Sequence, residues 1–138
     1  MLGNDRNASD TDTAHNSVSS DRDLAAGRRR RQVLFALVAA ASVVILFAPE
    51  SNVPSGLPEG TDKVVHVSLF ASLGVTGLLA GIRWRWLVPA LLAYAVASEF
   101  IQASPLLGRS ASAADAVADA CGIAAGVLVV VLNRRRSR

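Results

Sequence analysis

Residues 113–138 read AADAVADACGIAAGVLVVVLNRRRSR, an apolar run closed by Arg134, Arg135, Arg136 and Arg138. The part over 113–132 has the length, roughly 20 residues, that a helix needs to cross a hydrocarbon layer. The arginines that end it are the mark of a cytoplasmic flank. Three similar runs precede it, over about 32–48, 64–82 and 86–103. The stretch 49–62 holds Pro49, Pro54, Pro58, Gly56 and Gly60, and the stretch 104–112 holds Pro105, Gly108 and Arg109. Both compositions stop helices and make loops. Arg83-Trp84-Arg85-Trp86 reads as a tight basic turn with interfacial aromatics, and Pro89 falls in the first turn of the third run, where proline is tolerated. The predicted fold is all-α: an integral membrane bundle of four transmembrane helices. Strands are not expected, because lipid requires each segment to satisfy its own backbone groups.

Composition agrees with this reading. The chain has 138 residues, 51% of them hydrophobic and only 5% aromatic, with a mean hydropathy of +0.38. That describes an Ala/Val/Leu bundle facing lipid. The net charge of +3 and pI near 10.0 would ordinarily raise nucleic acid as a partner. Here the arginines stand in blocks beside apolar segments, so the expected partner is the bilayer and not nucleic acid. Cys121 is the only cysteine, which excludes an intrachain disulfide and a multi-thiolate metal site. It is expected as a small helix-packing residue.

Residues 1–27 are rich in Asp, Asn, Ser and Thr without apolar periodicity and are expected to form a disordered cytoplasmic tail. The membrane domain then covers 28–138. With four spans, the arginines at 28–31, Arg83, Arg85 and the C-terminal arginines share one side, while the other has only Lys63 and Arg109. The positive-inside rule puts both termini in the cytoplasm of a multi-pass cell-membrane protein. Arg30-Arg31-Gln32-Val33-Leu34 also admits a twin-arginine export signal, against which stand the long polar leader and Pro49 directly after the best cleavage position, Ala48.

Ionisable groups inside a bilayer are costly and mark functional or packing sites. Asp62, Lys63 and His66 open the second helix; Thr61 or Asp62 as a cap, with His66 bonded in the interface, is the structural alternative. Glu99 and Gln102, spaced i,i+3, share a face near the end of the third helix. A carboxylate there needs a cation, Arg109 or Lys63, or it serves as one half of an interhelical pair. Asp115 and Asp119, spaced i,i+4, begin the fourth helix. Ser112 with Asp115 fits a capping-box variant at the positive end of the helix dipole, whereas Asp119 lies a turn too deep for a cap. The topology gathers all of these at the extracytoplasmic ends of three helices, which predicts a polar pocket open to the outside. Gly77 with Gly81, and Gly122 with Gly126, allow close helix approach, either within the monomer or in a homo-oligomer.

The ordered set Asp62-Lys63-x-x-His66, Glu99-x-x-Gln102, Gly108-Arg109-Ser110, Asp115, and Gly122 followed by Gly126 resembles the VanZ-like family of bacterial membrane proteins, over a core of about 62–126. The family pattern usually has asparagine a turn after the helix-four aspartate, where this chain has Asp119. The resemblance implies a cell-envelope protein. The family's namesake is associated with low-level resistance to the glycopeptide teicoplanin, a role that many members lack.

Three functions compete. The first is binding of an amphipathic ligand, a lipid-linked precursor or lipoglycopeptide, by Asp62, Lys63, His66, Glu99, Gln102, Arg109, Asp115 and Asp119. The second is a membrane-embedded hydrolase or transferase with His66 as general base and Glu99, Asp115 or Asp119 orienting it or holding a divalent cation through oxygen. In that case His66, Glu99 and Asp119 are the catalytic candidates. No nucleophile elbow, paired-histidine motif or phosphate loop accompanies them. The third is a small transporter subunit, which would need polar residues through the inner halves of the helices. No cofactor and no metal site is expected, because a single histidine in the bundle and the lack of a thiolate cluster argue against zinc.

Overall fold

The computed structural model describes residues 5–49, 56, 58–104 and 112–137, with side chains described from residue 22 onward. Four helices follow one another: α1 (Asp5–Leu46), α2 (Thr61–Leu79), α3 (Trp84–Gln102) and α4 (Ala113–Arg136). There is no strand among the described residues. Two helices, α2 and α4, are long and apolar enough to cross a membrane by length and composition.

Their ends differ from the expected ones for local reasons. α1 spans 42 residues and runs through most of the tail expected to be disordered. The early aspartates suit the positive end of its dipole. At the start of α2 neither Thr61 nor Asp62 caps: Gly60 holds the N-cap position in the left-handed region at φ 84°, and Thr61 Oγ1 donates to the Pro58 carbonyl at 2.7 Å. α2 stops at Leu79 because Gly81, at φ 94°, ends it with paired bonds from Gly81 N to Leu78 O (3.2 Å) and from Ile82 N to Gly77 O (3.1 Å). That is a Schellman motif with glycine in the left-handed position. The turn therefore lies before the tryptophans. α3 begins at Trp84, and Pro89 falls in its second turn rather than its first, on the exposed side. α4 continues through Arg136, with Arg134, Arg135 and Arg136 in its last turn, where cations suit the dipole.

The closest packing is between α2 and α4. On α4 the buried positions Asp115, Ala118, Asp119, Gly122, Ile123, Gly126 and Val130 recur at i,i+3/i+4 and form one stripe. Cys121 lies off that stripe and is exposed, so it does not pack in the bundle as expected. A Cβ on Gly122 would come within 2.5 Å of the Val67 carbonyl oxygen, and one on Gly126 would collide with the Ala71 carbonyl. These glycines thus seat the backbone of α2 directly on α4. Gly77 packs under Leu87 and Phe35 of the same chain, while Gly81 is in the turn. The glycine faces expected to serve either the monomer or an oligomer are occupied within the monomer at Gly77, Gly122 and Gly126.

The apolar core is Leu46, Phe70, Leu73, Leu78, Leu87, Leu91, Ala95, Ile123 and Val130. Large apolar residues also cover the outside: Leu37, Val44, Val96, Phe100, Val117, Leu128 and Val129 are all exposed, Phe100 to 75%. Meanwhile Ser42, His66, Ser98 and Asp119 are buried to 1% exposure or less. The interior is thus an apolar core joined by a few buried polar groups, and large apolar residues stand on the surface as well.

Candidate functional site

Three helices bring the polar residues to one end of the bundle. His66 lies in the second turn of α2, Glu99 in the last turn of α3, and Asp115 and Asp119 in the first turns of α4. All four are buried, with exposures of 1%, 8%, 7% and 0% respectively. The ring nitrogen His66 Nδ1 lies 2.8 Å from Asp119 Oδ1 across the tight α2–α4 interface. Burial of Asp119 as an ion demands such a partner, because an uncompensated charge there costs several kcal/mol, about 3–5. In the neutral ring with Nδ1–H donating to Asp119, Nε2 carries the free lone pair; in the protonated ring it carries a second N–H.

One nitrogen of His66 and one carboxylate oxygen each of Glu99 and Asp115 lie within 4.8 Å of one another. Among the described residues, the buried side-chain atoms here without a hydrogen-bond partner are His66 Nε2, Glu99 Oε1, Asp115 Oδ1 and Asp119 Oδ2. Glu99 is held from its other oxygen: Oε2 accepts the backbone N–H of Ser112 at 2.8 Å. The Ser112 side chain in turn accepts from Asp115 N at 3.3 Å. Half of the expected capping box therefore forms. In the other half the carboxylate of the third helical residue would bond back to the cap N–H. Here Glu99 of α3 has taken that donor, which frees the Asp115 carboxylate to turn toward His66.

The remaining candidates divide. Lys63 Nζ bonds Asp62 Oδ2 at 3.0 Å and lies 3.6 Å from Asp115 Oδ1, an ion-pair contact too long for a hydrogen bond. Both Lys63 and Asp62 have side chains about half exposed, at 46% and 40%, so they form the rim rather than the floor. Surface pairs of this kind contribute at most about 1 kcal/mol. Gln102 is not part of the cluster: its Nε2 donates at 2.8 Å to the Leu46 carbonyl, one of the orphan acceptors at the end of α1. Among the described residues the partner of Glu99 is the Ser112 backbone amide; of the two cations expected for it, Lys63 bonds Asp62 and Arg109 lies outside those residues. Nothing in residue types announces a backbone donor, although a serine N-cap beside the loop is its indirect trace.

The opposite end of the bundle is basic. Arg134 Nη2 donates to Leu78 O at 3.0 Å, sharing that carbonyl with Gly81 N. Arg83, Arg85 and Arg134 line one cavity of about 390 Å³ together with Trp84 and Gly81. A separate apolar cavity of about 420 Å³ between α1 and α3 is lined by Phe35, Leu91 and Tyr94 among others, and none of its lining residues belongs to the polar cluster.

No family model matches the chain, and neither a curated protein nor a solved structure matches it.

Proposed function

We propose that the chain is a VanZ-like integral membrane protein of the bacterial cell envelope, a bundle of four spans with both termini in the cytoplasm. Its extracytoplasmic end would bind the polar head of an amphipathic or lipid-linked ligand. The observation that carries this reading is the polarity of the bundle's two ends. One holds the buried His66, Glu99, Asp115 and Asp119 with Lys63 at the rim, and the other holds Arg83, Arg85 and Arg134. Supporting it is the apolar outer surface, which is stable in lipid and would aggregate in water. Supporting it also is the ordered set of polar positions on which the resemblance rests. A link to glycopeptide susceptibility belongs to the same proposal.

The test is deletion of the gene and complementation with wild type, Glu99→Gln, His66→Ala or Arg109→Ala, read by envelope lipid analysis and teicoplanin susceptibility together. Wild type restores the phenotype and the variants, correctly inserted, do not. Variants indistinguishable from wild type would make the cluster a packing device.

A second reading is favoured by one specific contact. Asp119 beside His66 Nδ1 orients the ring as it would a general base, leaving Nε2 to take a proton from water or a hydroxyl. This makes the protein a hydrolase or transferase acting on an envelope lipid. The lipid profile discriminates: an enzyme leaves a substrate to accumulate in the His66→Ala strain, and a binding protein does not.

A further inference from the structure

The site gathers one imidazole and two carboxylates from three helices into one buried place. His66 Nε2, Glu99 Oε1 and Asp115 Oδ1 are all buried and without a hydrogen-bond partner among the described residues, and their side chains offer ligand atoms within 4.8 Å. Acceptors gathered in a low-dielectric interior repel one another, and a cation or a proton between them relieves that repulsion. Among the described residues the cluster gathers four carboxylates, on Asp62, Glu99, Asp115 and Asp119, against Lys63 and His66. Lys63 is already committed to Asp62 and reaches Asp115 only at 3.6 Å.

We propose that His66, Glu99 and Asp115 bind a divalent metal ion of the imidazole-accepting first row, zinc or manganese. Two further features fit such a site. A metal-bound histidine donates its other ring N–H to a carboxylate, and Asp119 accepts from His66 Nδ1 at 2.8 Å. A ligating carboxylate is itself held, and Glu99 Oε2 accepts from Ser112 N at 2.8 Å while Oε1 stays free. Ligand atoms around a tetrahedral ion with bonds of about 2.1 Å lie about 3.4 Å apart. Metal binding would draw the three ligand atoms together from their present spacing, within 4.8 Å, to that distance. The imidazole ligand selects against magnesium and calcium, which prefer all-oxygen cages. Three protein ligands leave a coordination position for an anionic group such as a phosphate. Counting histidines and thiolates argues against zinc, while the enzyme alternative already placed a divalent cation on oxygens of Glu99, Asp115 or Asp119. The mixed His/Glu/Asp set draws on three helices and has no spacing signature to count.

The metal concerns the same residues as the ligand proposed above but does not depend on that ligand, so the two readings fail separately. The test uses the full chain purified in detergent, stripped with chelator and equilibrated with Zn²⁺, Mn²⁺, Mg²⁺ or Ca²⁺, with bound metal counted by mass spectrometry. The expected result is one equivalent of Zn²⁺ or Mn²⁺ and visible absorption bands when Co²⁺ is substituted. His66→Ala and Asp115→Asn abolish stoichiometric binding, and Asp119→Asn weakens it about 10–100-fold. Wild type that takes up no ion overturns the proposal whether or not the variants fold. So does an Asp115→Asn protein, helical by circular dichroism, that still binds one equivalent. Uptake by Arg109→Ala but not by wild type would assign the space to a guanidinium and also overturns it.

Discussion

Replacing Gly122 by alanine tests the packing that holds the site together. The added Cβ would sit 2.5 Å from Val67 O and 3.1 Å from Ala71 N, both backbone atoms that cannot rotate away. A carbon meets a carbonyl oxygen at about 3.3–3.6 Å, so α2 must retreat by roughly 0.8–1 Å. Overpacking of this kind costs about 1–3 kcal/mol. Against it stands the gain from removing a helical glycine, roughly 0.5–1 kcal/mol. The net is a loss of about 0–2.5 kcal/mol, centred near 1. His66 immediately precedes Val67, and Asp119 lies one turn before Gly122, so the same retreat stretches the 2.8 Å bond between them beyond hydrogen-bonding range. Gly74→Ala is the matched comparison across the interface. There the nearest atom, Ile123 O, is 3.5 Å from a Cβ, an ordinary contact, and the expected change is a gain of up to about 1 kcal/mol. Reversible unfolding in mixed micelles at rising SDS fraction measures both. If Gly122→Ala proves as stable as Gly74→Ala, the backbone-on-backbone seating of α2 and α4 is wrong.

Gln102→Leu leaves the Leu46 carbonyl without its 2.8 Å donor and should lower stability by about 1–3 kcal/mol in the same assay, with metal binding unchanged. Glu99→Gln retains an oxygen acceptor for Ser112 N–H but loses the charge, so it should fold with a loss below about 1.5 kcal/mol while binding is lost. Full unfolding of that variant would assign Glu99 to structure alone. In a Cys121→Ala background, a thiol introduced at position 55 or 107 should react with an impermeant maleimide from outside the cell, and one at position 84 should not. The reverse pattern would invert the bundle.

Much of the architecture was readable from residues because the breakers are strong. The prolines and glycines at 49–60 separate the apolar runs that become α1 and α2, whereas Gly81, read as a packing glycine inside the second run, is the residue that ends α2. The exact ends were less readable. Gly81 closes α2 through a two-bond motif, and that leaves Trp84 free to start a helix where a basic turn was expected. The site's members were readable because His66, Glu99, Asp115 and Asp119 are ionisable groups in otherwise apolar segments. Their partners were not. Whether Glu99 meets a lysine or a main-chain amide depends on how each helix is rotated about its axis, and sequence spacing within one helix is silent on the rotation between two. Gln102 shares a helical face with Glu99 and still faces a different neighbour, Leu46 of α1.

The seating of α2 on α4 also divides the cluster mechanically. His66, Asp115 and Asp119 ride on the two helices joined through Gly122 and Gly126, and so behave as one fixed jaw. Glu99 is the lone member carried by α3, which packs less extensively on that pair. A small change in the tilt of α3 therefore alters the distance to Glu99 while leaving the other three in place. The Ser112 amide is the catch that holds this second jaw shut.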